Sequence, residues 1–233
     1  MFNHEEDYEN YTTQKMSKET EERENSVTLV GIVKDEPVLS HESYGEKFYG
    51  FNLGVQRLSE VEDVLFVLVS DRVYDPILIQ KGQSLEILGQ IRTFNNQNNM
   101  IIQSKSKLIV SVYATEITPV EELTSVKQHK NDVSLVGYIC KEPNYRLTPK
   151  GREVCDILLA VHRPYSSEVI SKSDYLPCIC WGKNARYMGQ KPVGLMIKAK
   201  GKLQSREYQK KISETEFETR TAFEVSISQI REF

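Results

Sequence analysis

The residues best suited to chemistry lie between Tyr175 and Tyr208. The stretch Met196-Ile197-Lys198-Ala199-Lys200-Gly201-Lys202-Leu203-Gln204-Ser205-Arg206-Glu207-Tyr208 sends Lys198, Lys200, Lys202, Arg206 and Tyr208 to one side of an extended chain. Ile197, Ala199 and Leu203 go to the other. Ammonium groups in a row match successive phosphates and a flat ring matches a base, as single-stranded nucleic acid requires. The same row serves equally as a solvated face that keeps a strand edge soluble. Just upstream, Tyr175-Leu176-Pro177-Cys178-Ile179-Cys180-Trp181 sets the chain's only tryptophan six residues after a tyrosine, on one face. A lone tryptophan usually belongs to a core, but here Leu176, Cys178 and Cys180 claim the opposite face. Outward rings at both positions make stacking platforms, each worth about 1–3 kcal/mol per base.

Other chemistries find less support. Cys178 and Cys180 form a lone pair with no second pair or histidine at metal spacing, so they read as small buried hydrophobes rather than zinc ligands. The four cysteines (Cys140, Cys155, Cys178 and Cys180) are not spaced as a disulfide framework, which suits a reducing cytoplasm. His162 fits an exposed strand end better than a phosphate contact. With no glycine-rich phosphate loop, paired carboxylates or nucleophile signature, the expectation is a non-enzyme without metal or cofactor. No apolar run approaches the ~18 residues of a membrane helix, and the first residues carry no secretory pattern.

The elements that position these residues emerge from a repeat. Asn25–Arg57 returns, 106 residues later and without a gap, as Asn131–Arg163, with 11 of the 33 pairs identical. Beyond it the register slips, so that Asp63 meets Asp174 and Gly89 meets Gly201. The 233 residues are therefore two copies of one domain. Alternation in the second copy predicts strands over Val133–Ile139, Val154–Val161, Tyr175–Trp181, Met196–Leu203 and Thr221–Ile230. A short helix is expected at Gly182–Gln190, and another at Asp71–Lys81 despite Pro76. Five strands with a helix after the third suggest an all-β fold of two tandem five-stranded OB barrels, each with that helix between its strands 3 and 4.

The expected boundaries are an acidic, disordered segment at 1–24, a first barrel at 25–115, a linker at 116–130 and a second barrel at 131–233. Residues 1–129 carry 12 basic against 21 acidic side chains, and residues 130–233 carry 18 against 12. The second copy is thus the half prepared to meet an anion.

Several motifs in Asn131–Glu224 carry a resemblance. Asn131, Leu135 and Gly137 open it, followed by Glu142-Pro143, Leu159-Ala160-Val161, Trp181-Gly182-Lys183 and the run Gly201–Tyr208. In their order and spacing they resemble the bacterial single-stranded DNA-binding protein family along almost the whole domain. The resemblance implies stacking on Tyr165, Tyr175, Trp181 and Tyr208, and phosphate contacts from basic groups near them. Those groups are Lys150, Arg152, Arg163, Lys183, Lys198, Lys200, Lys202 and Arg206, with Lys210 and Lys211 in a loop beyond.

It further implies a sequence-tolerant coat for exposed DNA strands in replication, recombination or repair, located in the bacterial cytoplasm with the nucleoid. A homodimer would supply four OB folds, with replication or repair proteins as further partners. An RNA-binding OB protein and a non-catalytic assembly adaptor are the alternatives. The family's usual acidic C-terminal tail is expected to be missing, and the acidic segment 1–24 is expected to replace it or to solubilise the chain. At the four aromatic positions the first copy has Ser59, Val64, Ser70 and Asn96, and its fourth-strand row reads Glu86, Leu88, Gln90 and Arg92. It is therefore expected to serve packing or oligomerisation, with Phe94 left to stack at most one base.

Overall fold

Alternating apolar residues drive most of the barrel strands. The computed structural model describes residues 24–95, 108–163, 172–213 and 216–233. The first copy contains β1 (Asn25–Val33), β2 (Val38–Ser43), β3 (Glu46–Gln56), β4 (Glu62–Ser70), β5 (Ser84–Asn95) and β6 (Leu108–Pro119). The second contains β7 (Lys130–Ile139), β8 (Asn144–Leu147), β9 (Glu153–His162), β10 (Ser173–Trp181), α1 (Lys183–Met188), β11 (Met196–Lys211) and β12 (Phe217–Glu232). In each copy five strands close a barrel. The first runs β1-β3-β4-β6-β5 and back to β1, and the second runs β7-β9-β10-β12-β11 and back to β7. A parallel pairing, β4 with β6 or β10 with β12, seals each ring. This is the five-stranded OB topology. Among the described residues the short strands β2 and β8 pair only with β3 and β9, at the two ends of one continuous 12-stranded sheet.

The barrels are joined by antiparallel pairing of β1 with β7, from Asn25 opposite Leu135 to Val30 opposite Lys130. Because β1 and β7 are the same strand of the repeat, this junction has a pseudo-twofold axis through it. Leu29 and Leu135 fill the two barrels with no exposure. Gly89 and its repeat partner Gly201 recur for a packing reason. A Cβ at either would lie 2.4 or 2.2 Å from the carbonyl oxygen of Tyr113 or Ser226, so only hydrogen lets the neighbouring strand approach.

Three expectations are corrected. The helix at Asp71–Lys81 is only a 3-10 turn at Pro76–Leu78, because proline disfavours helical geometry at Asp75 (φ −66°, ψ 114°) and supplies no N–H. The first barrel extends beyond 115. Ile117 is buried opposite Ile87, so β6 continues to Pro119 and the connection shrinks to 120–129. Lys210 and Lys211 belong to β11, whose pairing with β12 continues through Lys211 opposite Phe217. The segment 1–23 lies outside the described residues. Among the described residues no helix is long and apolar enough to cross a membrane.

Candidate nucleic-acid interface

Strand parity places the rings as the alternation requires. Along β10, Asp174, Leu176, Cys178 and Cys180 are buried, whereas Tyr175 and Trp181 are 51% and 42% exposed. Burial pushes the Cys180 thiol up to about 12 and that of Cys155 to about 11, so neither is a ready thiolate at neutral pH. Tyr208 is also exposed, with the Arg206 guanidinium 5.9 Å from its ring centroid. Tyr165 lies outside the described residues.

The cations are less uniform. Lys150 and Arg152 are exposed in the β8–β9 turn, and Lys183 is exposed at the start of α1, where Gly182 turns the chain at φ 55°. The β11 row faces outward but divides among three recesses. Lys198 forms an ion pair with Glu24. Burial favours the neutral Glu24 carboxyl, but the hydrogen bond to Lys198 and the further pull of Ser134, Lys198 and Lys200 together outweigh that and lower its pKa. Lys200 lines a groove with Glu24 and Asp132, while Lys202 also reaches a cavity shared with Arg57, Lys127 and His129. Arg206, paired with Glu224 at 3.3 Å, lines the same cleft as Trp181.

Arg163 is placed elsewhere than the phosphate reading requires. Its Nε and Nη2 donate to both oxygens of buried Asp174 at 2.8 Å each, and Nη2 also donates to the Thr93 carbonyl at 3.1 Å. Asp174 in turn accepts from the Thr93 backbone N–H and hydroxyl. The pseudo-twofold repeats the arrangement. Arg57 Nε donates to Asp63 at 2.8 Å and its Nη2 to the Ser205 carbonyl at 2.9 Å, while Asp63 accepts from the N–H and hydroxyl of Ser205. Each barrel thus clasps the other's fourth-strand backbone. Asn25 and Asn131 reinforce this from within their own barrels, each exchanging two hydrogen bonds with the backbone, of Ile91 and Leu203 respectively.

Sequence reasoning missed the clasps although the signal was present. Arg57/Arg163 and Asp63/Asp174 persist in both copies, including the copy that lacks the rings. A phosphate role would not explain that persistence, whereas a mutual lock does.

Beyond Val64, the first barrel's outward face is closed by its own side chains. Phe48, Phe66, Leu68 and Ile109 form a separate buried cluster, against which Phe94 and Tyr113 pack. Arg92 lies 3.7 Å over the Tyr113 ring. The β4 strand is therefore buried on both faces from Leu65 to Ser70, with Val64 left exposed, and Phe94 is committed to the cluster rather than standing free for a base. Ser70 is buried and bonded to Glu46, Ser59 is exposed in a turn, and Asn96 lies outside the described residues. Among the described residues no group of three or more His, Cys, Asp or Glu could hold a metal ion.

Two OB barrels fused through equivalent strands, with outward rings and cations on one of them, define a tandem OB-fold protein. Residues 130–232 match the model described as "Single-strand binding protein family". The chain is similar to the single-stranded DNA-binding protein of Clostridium tetani, 35% identical over 86 residues covering 35% of this chain and 57% of that protein. It is also similar to the protein of that name in Oceanobacillus iheyensis, 30% identical over 91 residues covering 38% of this chain and 56% of that one. The chain thus spans little more than half the length of these relatives. In structure it resembles the wild-type single-stranded DNA-binding protein from Thermus aquaticus, with TM-score 0.68 and 22% identity over 90% of this chain and 93% of that one, a likeness of fold.

Proposed function

We propose that the protein binds single-stranded DNA with little sequence preference and without catalysis. The observation that carries this reading is the outward placement of Tyr175, Trp181 and Tyr208 on a barrel with exposed Lys150, Arg152, Lys183 and Arg206. Rings stack bases of any identity while cations replace counterions along the phosphates. The match of residues 130–232 to the single-strand binding protein family model supports it. The first barrel acts chiefly as a splint, holding Ser205 and Thr93 through the two clasps. Two chains would provide four barrels, and light scattering of the free protein should report twice the 26.9 kDa of one chain.

Fluorescence anisotropy of a labelled oligo-dT, challenged with unlabelled oligo-dT, poly-U and duplex DNA, tests the function. Displacement by oligo-dT well before the other two supports the proposal. Preferential displacement by poly-U would assign the site to RNA, and no binding at low salt would leave the rings without a ligand.

A further inference from the structure

The cleft onto which Trp181 opens has a second wall, and that wall comes from the first barrel. About 590 Å³ in volume, it lies between Val61 and Val64 on one side and Trp181, Arg206 and Phe223 on the other. Val64 is 38% exposed, whereas Phe66 and Leu68, the next outward positions along β4, are buried in the first barrel's own cluster. The apolar surface left open on this strand therefore looks into the cleft. Its geometry is fixed nearby, because the Arg57–Asp63 clasp grips Ser205, the residue immediately before Arg206.

The polar lining narrows what can enter. Glu62, paired with Lys34 at 2.7 Å, and Glu224, paired with Arg206, both face the cleft, as does Glu207. Carboxylates repel phosphate but accept hydrogen bonds from base N–H groups. A cleft of this size is within the range that encloses small planar ligands. An indole facing two valines, with carboxylate acceptors at the margin, suits a base turned inward while its phosphates stay outside near Arg206.

We propose that this cleft is a base subsite shared by both barrels, receiving one unpaired nucleobase between Trp181 and the Val61–Val64 wall. The proposal rests on the single-strand reading above and extends it, since the first barrel then contributes contact as well as support. Val64 occupies the repeat position of Tyr175, so the first barrel has lost the ring there but kept an apolar surface.

Thiol footprinting of the full chain tests it. The thiol introduced by Val64→Cys is alkylated with a maleimide, with and without saturating oligo-dT, and the product is located by peptide mapping. Leu39→Cys, on the exposed β2 strand, serves as the reference. Oligo-dT should slow alkylation at position 64 by about tenfold or more, the protection expected of a wall in contact with a bound base, and leave position 39 unchanged. Val64→Ala should weaken oligo-dT binding about fivefold, the loss expected from removing a partly buried pair of methyl groups. Unchanged alkylation at position 64 while the same oligonucleotide quenches Trp181 would overturn the shared subsite and leave the single-strand reading standing. Unchanged Trp181 emission would overturn both.

Discussion

At the scale of single residues, exposure separates rings that can stack from rings that cannot. Trp181 lies outside the core because its parity opposes that of Cys178 and Cys180, so truncating it removes a platform without opening a cavity. Trp181→Ala should weaken oligo-dT binding by about 1–3 kcal/mol, roughly 5- to 150-fold, with little change in melting temperature. Ser59→Ala, in an exposed turn of the first barrel, should leave affinity unchanged; anisotropy titrations of the two variants compare them directly. The ring placement was legible in the sequence because strand period 2 converts spacing into sidedness. The fate of Arg163 was not, because alternation does not reveal that its guanidinium faces a buried carboxylate and a carbonyl of the other barrel. Only the paired persistence of Arg57/Arg163 and Asp63/Asp174 pointed there.

At the scale of elements, strand contacts decide what the sequence tolerates. Gly201→Ala would press a methyl group against the Ser226 carbonyl across the β11–β12 ladder. A loss of about 2–3 kcal/mol is expected, measurable by urea denaturation. The connection at 120–129 adds a pH dependence. Burial lowers the pKa of His129, whose Nδ1 accepts from the Gln56 N–H at 3.3 Å and so must be unprotonated there. A histidine with a depressed folded-state pKa stabilises the fold fully above its unfolded value near 6.5, and that contribution is lost as pH falls through the folded value. Thermal melts should therefore show stability declining below about pH 6.5, and His129→Gln should flatten that decline. Most of the core strands were readable from periodicity. The edge strands β2 and β8 were not, since both are largely exposed and show no apolar alternation. Pro76 was the local signal that should have outweighed the helical composition of Asp71–Lys81.

At the scale of the whole molecule, the repeat explains why a barrel without stacking rings is retained. The β1–β7 pairing and the two reciprocal clasps make each barrel part of the other's support. Asp63→Asn would leave Arg57 facing the interface without its carboxylate, at a cost of roughly 3 kcal/mol. Calorimetry should show that loss together with a shift or splitting of the unfolding transition, whereas an unchanged melting profile would mean the clasp adds nothing. Tandem organisation and the copy bearing the rings were both legible in the sequence. How the copies face one another was not, because it depends on contacts between residues such as Asp63 and Ser205, 142 positions apart.

The most direct test uses the chain's single tryptophan as its own reporter. Trp181 emission is titrated with oligo-dT at a series of salt concentrations. The account predicts quenching at saturation and a log affinity that falls linearly with log salt, by about 0.7 for each phosphate neutralised. Emission that stays unchanged at saturating oligo-dT in low salt would contradict it.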